Sequence, residues 1–224
     1  MPSPWFRGQE DGRHGLLPGA YRGATPVDED SLRHDFAMKA FPYLSETTSP
    51  LIDHWDRYFV MQHYGLPTRL LDWSEGALVA LHFALRHVED GVDPAVWVLN
   101  PWETNRCLAD LGDIICVSAD KRMKRYLPAP WEADNLPEKP AALQAQLNSK
   151  RITAQRGVFT IHGSSRKGLE EFQKLGDSLV KVEINYMEAA IMFDHLVMAG
   201  ITDSVLFPDL EGLCRELKRY WSTP

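Results

Sequence analysis

Residues 62–74, QHYGLPTRLLDWS, form the densest group of side chains that could bind or transform a ligand. Arg69 could hold a phosphate through two parallel hydrogen bonds, or it could pair with Asp72. The segment also opens a helix, where backbone N–H groups favour an anion. In a structural interpretation, Asp72 and Ser74 instead cap that helix and Arg69 forms a buried ion pair. The residue types alone leave both interpretations open.

Rings and hydroxyl groups in the same segment suit a planar, polar ligand. His63 and Tyr64 could stack on a planar ring. The candidates for ligand binding in this segment are His63, Tyr64, Thr68, Arg69, Trp73 and Ser74.

A second candidate lies near the start of the chain, where Arg7 follows Trp5 and Phe6 and precedes Gln9. A cation among aromatic side chains suits the phosphate and base of a nucleotide. Taken alone, the pattern favours an arginine that is simply exposed or paired.

Two later segments complete the set. In residues 151–160, RITAQRGVFT, Gly157 inside a strand indicates either a bulge or the close approach of a ligand. In residues 207–212, FPDLEG, Asp209 precedes the last helix and is interpreted as its N-cap rather than as a catalyst.

Hydrophobic periodicity predicts the elements that position these segments. The expected helices span residues 29–44, 51–64, 75–88, 187–198 and 210–221, and the expected strands span residues 4–8, 95–99, 157–161 and 179–184. The stretch 102–149 contains several prolines and is interpreted as an insertion or lid of short helices.

The order of the elements predicts the fold class. Helices dominate the first half, and the strands do not alternate regularly with them. This favours a single α+β domain over residues 1–224, with a split, mostly antiparallel sheet and a helical N-terminal half. Neither GxGxxG nor GxxxxGK[ST] occurs, so neither a Rossmann dinucleotide site nor a P-loop is expected.

Composition excludes several classes. A formal net charge of −7 does not indicate a nucleic-acid-binding surface. Cys107, Cys116 and Cys214 are too far apart for a zinc site, and the histidines and acids show no metal-ligand spacing. No stretch is apolar enough to cross a membrane, and the N-terminus does not have the pattern of a signal peptide. We therefore expect a cytoplasmic protein with no metal and no membrane partner.

The four segments together resemble the bacterial FRG domain, named after an aromatic-Arg-Gly motif that is Phe6-Arg7-Gly8 here. The similarity also includes MQHYGLPTRLLDWS followed by ALVALHFAL, then RITAQRGVF and LFPDLEGL, and extends from residue 5 to about residue 217. The second of these matches is long and specific.

The layout of the family resembles that of ADP-ribosyltransferases, which use NAD as a substrate. This resemblance implies that Arg7 is the arginine of the first strand and that Ser74 begins the second motif. It also implies that Gln155 occupies the strand that normally carries the catalytic glutamate. No carboxylate stands there, and the candidates to replace it are Asp72, Asp209 and Glu211, together with Glu170.

The resemblance therefore implies a mono-ADP-ribosyltransferase, or a related NAD-consuming enzyme, in a toxin or phage-defence setting. Arg7 and Arg69 would bind the pyrophosphate, and Gln155 would orient a macromolecular acceptor, either a protein or a nucleic acid. The alternative is a sensor that binds NAD or another nucleotide without turnover. An unrelated hydrolytic activity is a third option.

Overall fold

The structure is a computed structural model, which describes residues 3–25, 27–43, 54–112, 114–116, 120–127, 136–145 and 150–222. The strands are β1 (Trp5–Gln9), β2 (Leu70–Ser74), β3 (Ala95–Leu99), β4 (Ile115–Cys116), β5 (Ala141–Gln144), β6 (Gly157–Ile161) and β7 (Leu179–Glu183). The α-helices are α1 (Glu29–Lys39), α2 (His54–His63), α3 (Ala77–Leu85), α4 (Pro101–Thr104), α5 (Lys150–Gln155), α6 (Tyr186–Met198), α7 (Asp203–Leu206) and α8 (Leu210–Ser222).

The strands form one sheet in the order β4-β5-β6-β2-β1-β3-β7. The pairings from β5 to β7 are antiparallel, whereas β4 pairs with β5 in parallel. The chain is thus an α+β protein with a mostly antiparallel sheet, as the sequence predicts.

The sheet is weakest at its centre. β1 pairs with β3 along its whole length, and β2 does the same with β6. Between β1 and β2, however, the register contains one pair, Phe6 with Ser74. The two strands separate beyond this pair and leave a gap between two well-paired halves. The predicted split is not present, because the pair between β1 and β2 joins both halves in one sheet.

Helix α3 lies directly on β1, and Gly8 makes this contact geometrically feasible. A Cβ atom at Gly8 would lie 1.9 Å from the carbonyl oxygen of Ala80 and 2.6 Å from the amide nitrogen of Ala84. Both atoms belong to helix backbone and cannot rotate away. Gly8 therefore serves the close packing of a helix on a strand.

The hydrophobic core occupies both faces of the sheet. On β6, Phe159 packs with the rings of Trp55 and Phe59 from α2, whereas its neighbour Val158 belongs to a different cluster that includes Trp73. Because successive side chains of a strand point to opposite faces, these two neighbours contribute to two cores, one on each face of the sheet.

Most predicted elements are present with shifted ends. The helix expected over residues 29–44 ends at Lys39, and the next helix begins at His54 among the described residues. Residues 44 and 51–53 of these two predictions lie outside the described part. The strand prediction for residues 95–99 is confirmed, and those for residues 157–161 and 179–184 are confirmed to within one residue.

Two predictions require correction. Residues 70–74 form β2, whereas the sequence predicted a turn between helices. The stretch 102–149 contributes β4 and β5 to the sheet in addition to short helical turns. The described strands of this stretch are therefore an integral part of the sheet.

Candidate functional site

A cleft of about 1010 Å³ opens where β1 and β2 separate. Its walls come from β1, β2, α2, α3, α5 and β6, so segments distant in sequence converge there. The predicted site residues that line it are Arg7, Gln9, His63, Asp72, Trp73, Ser74 and Gln155.

Arg7 reaches across the junction from β1 to β2. Its Nη1 donates to the carbonyl oxygen of Asp72 at 2.6 Å and lies 4.0 Å from the Asp72 carboxylate. That carbonyl is free because β1 and β2 no longer pair there. The Arg7 Nε is buried and has no hydrogen-bond partner in the described part of the chain. Burial lowers the pKa of Arg7, and Asp72 opposes this effect. The side chain as a whole is 17% exposed, so an anion in the cleft would contact the accessible part of the guanidinium.

Asp72 presents a carboxylate to the same space, with 59% of its side chain exposed. Gln62 holds this carboxylate by donating its Nε2 to Oδ2 at 2.8 Å. The Thr68 hydroxyl in turn donates to the Gln62 Oε1. Thr68 is buried and does not line the cleft, so its contribution is to position Gln62 and, through it, Asp72.

His63 and Tyr64 have different environments. Their rings form an edge-to-face pair with centroids 5.0 Å apart. His63 lines the cleft, and burial followed by the nearby Arg151 lowers its pKa. Tyr64 is exposed and lies outside the cleft lining. A neutral His63 ring is therefore the member of this pair that can contact a bound ligand.

The polar groups at the closed end of the cleft bond mainly to one another. The Ser74 hydroxyl donates to the carbonyl of Gln155 at 2.7 Å, and the Gln155 Nε2 donates to the carbonyl of Leu206 at 3.1 Å. The predicted helix cap is corrected here: Ser74 ends β2, and Gly76 occupies the N-cap of α3. Ser74 still accepts a hydrogen bond from the Gly76 amide at 2.9 Å.

Gln9 and Trp73 line the cleft, but both form hydrogen bonds with other side chains of the protein. The Gln9 Oε1 accepts a hydrogen bond from the indole N–H of Trp97 at 2.6 Å. The Trp73 indole N–H donates to the Thr160 hydroxyl at 3.0 Å, and the ring is buried. Both side chains fix the shape of the walls.

Arg69 lies away from the cleft, in the interior. Its Nε donates to Glu29 at 2.7 Å, and its Nη atoms donate to the carbonyls of His162 at 2.7 Å and Tyr126 at 2.6 Å. Tyr58 also donates its hydroxyl to Glu29. The structural interpretation therefore applies to Arg69, but with Glu29 as its partner in place of Asp72.

Asp209 and Glu211 also lie outside the cleft lining. The Asp209 Oδ1 accepts from the Gly212 amide at 2.7 Å, which is the predicted capping role. Glu211 is exposed and pairs with Arg215 at 2.6 Å. Of the predicted acids, Asp72 is the one that stands beside Arg7.

Sequence reasoning assigned no role to Arg151, which lines the cleft from α5. Its guanidinium lies 4.6 Å from the centre of the Phe207 ring. Burial lowers its pKa, and Asp72 opposes this shift. The sequence contained a signal for this role, because Arg151 and Gln155 are four residues apart and therefore lie on the same face of a helix.

Other acids in the cleft are held by the protein itself. Glu10 pairs with Arg86 at 2.8 Å, and Glu170 accepts a hydrogen bond from the Leu16 amide at 2.8 Å. Glu170 was a candidate for the missing glutamate, and this hydrogen bond gives it a structural role at Leu16. Aromatic side chains contribute the apolar part of the walls, namely Phe6, Phe59, Phe83 and Phe159.

Comparisons with known proteins give one match, in the N-terminal part of the chain. No curated protein and no solved structure matches the sequence. In the described part of the chain, no helix is both long and apolar enough to span a membrane, and no three potential metal ligands cluster. Residues 3–92 match the family model of the FRG domain. This match covers β1, β2 and α3, and it supports the FRG-domain family for the segment that carries Arg7, Asp72 and Ser74.

Proposed function

We propose that the cleft binds NAD and transfers its ADP-ribosyl group to a macromolecule. The observation that carries the proposal is the pair formed by Arg7 and Asp72 at the junction of β1 and β2. Arg7 lines the cleft with 17% of its side chain exposed, and Asp72 presents a carboxylate to the same space. In such a pair, Arg7 would stabilise an anionic group of the ligand, and Asp72 would stabilise a positive charge that develops next to it.

The rest of the cleft fits a dinucleotide. Ligand sites usually measure roughly 300–1,000 Å³, so the volume of about 1010 Å³ suits a large ligand. Arg7 and Arg151 provide charge for a pyrophosphate, and aromatic walls provide stacking surfaces for planar rings. This assignment replaces Arg69 with Arg151 as the second cation.

The reaction would depend mostly on position and charge. The bond between ribose C1′ and the nicotinamide nitrogen breaks, and nicotinamide leaves with the electron pair. The resulting oxocarbenium-like carbon is positive, and the Asp72 carboxylate would stabilise it. An acceptor nucleophile then bonds to C1′ and loses its proton to Asp72 or to water. Gln62 would hold the carboxylate in place during both steps.

A second candidate is a sensor that binds a nucleotide without turnover. The observation that favours it is the state of Gln155, which the resemblance sets in place of the catalytic glutamate. Gln155 ends α5 and does not lie on the strand expected for it, and its Nε2 already donates to the Leu206 carbonyl. Without a free acid on that side of the cleft, the protein would have to rely on Asp72 for catalysis.

Incubation with NAD that carries a labelled adenylate distinguishes the candidates. The protein is tested alone and with cell lysate, DNA or RNA. Label on a macromolecule would support the transferase, and free labelled ADP-ribose would support a glycohydrolase. Saturable binding without any labelled product would support the sensor. The resemblance to the family further suggests a cytoplasmic toxin or defence setting, which acceptors found in the lysate would test.

A further inference from the structure

Helix α8 packs against the protein through its polar face. Arg219 pairs with the buried Asp203 at 3.2 Å, and Arg215 lies 3.9 Å from the same carboxylate. Glu216 accepts a hydrogen bond from the Ser204 amide at 2.9 Å. Gly212 allows close contact, because a Cβ there would lie 2.0 Å from the Phe207 carbonyl oxygen. The charged residues of α8 are therefore the ones that attach it.

The opposite face of α8 is apolar and points away from the protein. Leu210 is 75% exposed, Leu217 is 47% exposed and Trp221 is 79% exposed. The full outward face, defined here as the α8 stripe, consists of Leu210, Leu213, Leu217, Tyr220 and Trp221. The members recur at intervals of three or four residues, which places them along one side of the helix.

Such a stripe differs from the single apolar residues that are normal on protein surfaces. Surface helices usually turn their apolar side to the core, whereas α8 does the reverse. Contiguous exposed apolar patches mark interaction sites. The described part of the chain covers the α8 stripe only in part, since Leu213 and Leu217 remain 43% and 47% exposed.

We propose that the α8 stripe binds the same stripe of a second copy of this chain, with the two helices antiparallel. The charges beside the stripe favour this partner. Glu211 and Lys218 are seven residues apart, so they lie on the same flank of the helix. A two-fold axis places the same flank of both helices side by side. Each contact then occurs twice, because the two residues that meet exchange places between the copies. Glu211 of each copy, which pairs with Arg215 of its own helix at 2.6 Å, would face Lys218 of the other copy.

The size of the stripe sets the expected strength. Thirteen residues make α8 about 20 Å long. Two helices of that length bury on the order of 800 Å² in total, which is below the usual range for stable interfaces. The dimer should therefore be weak, with a Kd on the order of micromolar.

Sedimentation velocity over about 1 to 300 μM protein tests the proposal, since this range brackets a micromolar Kd. The parent should change from monomer to dimer as concentration rises. Leu217→Glu should weaken association by at least about tenfold, because it buries a charge in the interface. Leu78→Glu is the matched control, since Leu78 on α3 is 48% exposed and lies outside the α8 stripe. Circular dichroism should show both variants folded.

Charge exchange tests the identity and direction of the partner. Glu211→Lys and Lys218→Glu should each weaken dimerisation by roughly 2- to 10-fold, because each places like charges opposite one another. The double variant should restore the parent affinity. A parent that stays monomeric throughout, equal loss in Leu78→Glu, or a double variant weaker than both single ones would overturn the proposal.

Discussion

Arg7 and Arg69 differ in how much of their hydrogen-bonding capacity the protein itself uses. Arg69 donates to one carboxylate and two carbonyl groups inside the fold. Arg7 donates to one carbonyl and leaves its buried Nε without a partner in the described part of the chain. The two side chains should therefore respond to substitution in opposite ways.

Arg7→Ala should weaken the binding of ADP-ribose by roughly 10- to 150-fold, the scale of one charge-assisted hydrogen bond to a phosphate. Stability should fall by only about 1 kcal/mol, because one hydrogen bond to the Asp72 carbonyl is lost. Isothermal titration calorimetry and thermal melting measure the two effects. Arg13→Ala is the control, since Arg13 is exposed and does not line the cleft. Normal binding by Arg7→Ala would show that Arg7 does not contact the ligand.

Arg69→Ala should instead lower the free energy of unfolding by about 3–5 kcal/mol. It leaves the partly buried Glu29 carboxylate without its counter-ion, and losing one member of such a pair is costly. Urea denaturation measures the loss. A variant that unfolds like the parent but no longer binds ADP-ribose would contradict the structural role and return Arg69 to the site.

At the level of elements, the contact between α3 and β1 fixes one wall of the cleft. Gly8→Ala should destabilise the protein by about 1–3 kcal/mol or more, because the added Cβ meets helix backbone that has to move. Gly157→Ala is a matched control in the same sheet, since the nearest atom to a Cβ there lies 3.5 Å away. Equal melting temperatures for the two variants would show that α3 is not held in close contact with β1.

The sequence predicted the elements whose pattern is local. The apolar stripe of α3 and the apolar run of β3 can be recognised from the sequence, because the spacing of their apolar residues shows which side is buried. β2 was missed because Leu70–Ser74 is short and follows a helix stop closely, so nothing local separates it from a turn. β5 was missed for a similar reason, because its partner β6 is distant in sequence and prolines precede it.

The sequence predicted which segments form the site, but it did not predict most of the contacts that their side chains make. Of Arg7, Arg69 and Gln155, which were expected to share one site, Arg7 and Gln155 line the cleft and Arg69 does not. The Glu29 partner of Arg69 lies 40 residues upstream, in a helix that carries no motif, so its pairing could not be inferred. The Arg7 contact was equally hidden, because it depends on β1 and β2 separating after one residue pair.

For the whole molecule, two buried histidines should make stability depend on pH. Burial lowers the pKa of His82 to about 4 and that of His162 to about 4. In the unfolded chain a histidine takes up a proton near pH 6.5, so acidification from about 6.5 to 4 favours unfolding. The expected slope is at most about 1.4 kcal/mol per pH unit for each histidine. Urea denaturation between these pH values measures it. His82→Leu should reduce the slope, and an unchanged slope would exclude His82 as a source.

Nicotinamide release from NAD is the most direct test of catalysis in the cleft. The parent should release nicotinamide, and Asp72→Asn should reduce the rate by roughly a hundredfold or more, the scale of one lost transition-state contact. ADP-ribose binding by Asp72→Asn should stay within a few-fold of the parent. Asp209→Asn and Glu211→Gln should retain full activity, because neither acid lines the cleft. Full activity in Asp72→Asn, or a parent that binds NAD saturably and releases no nicotinamide, would contradict the proposed catalysis.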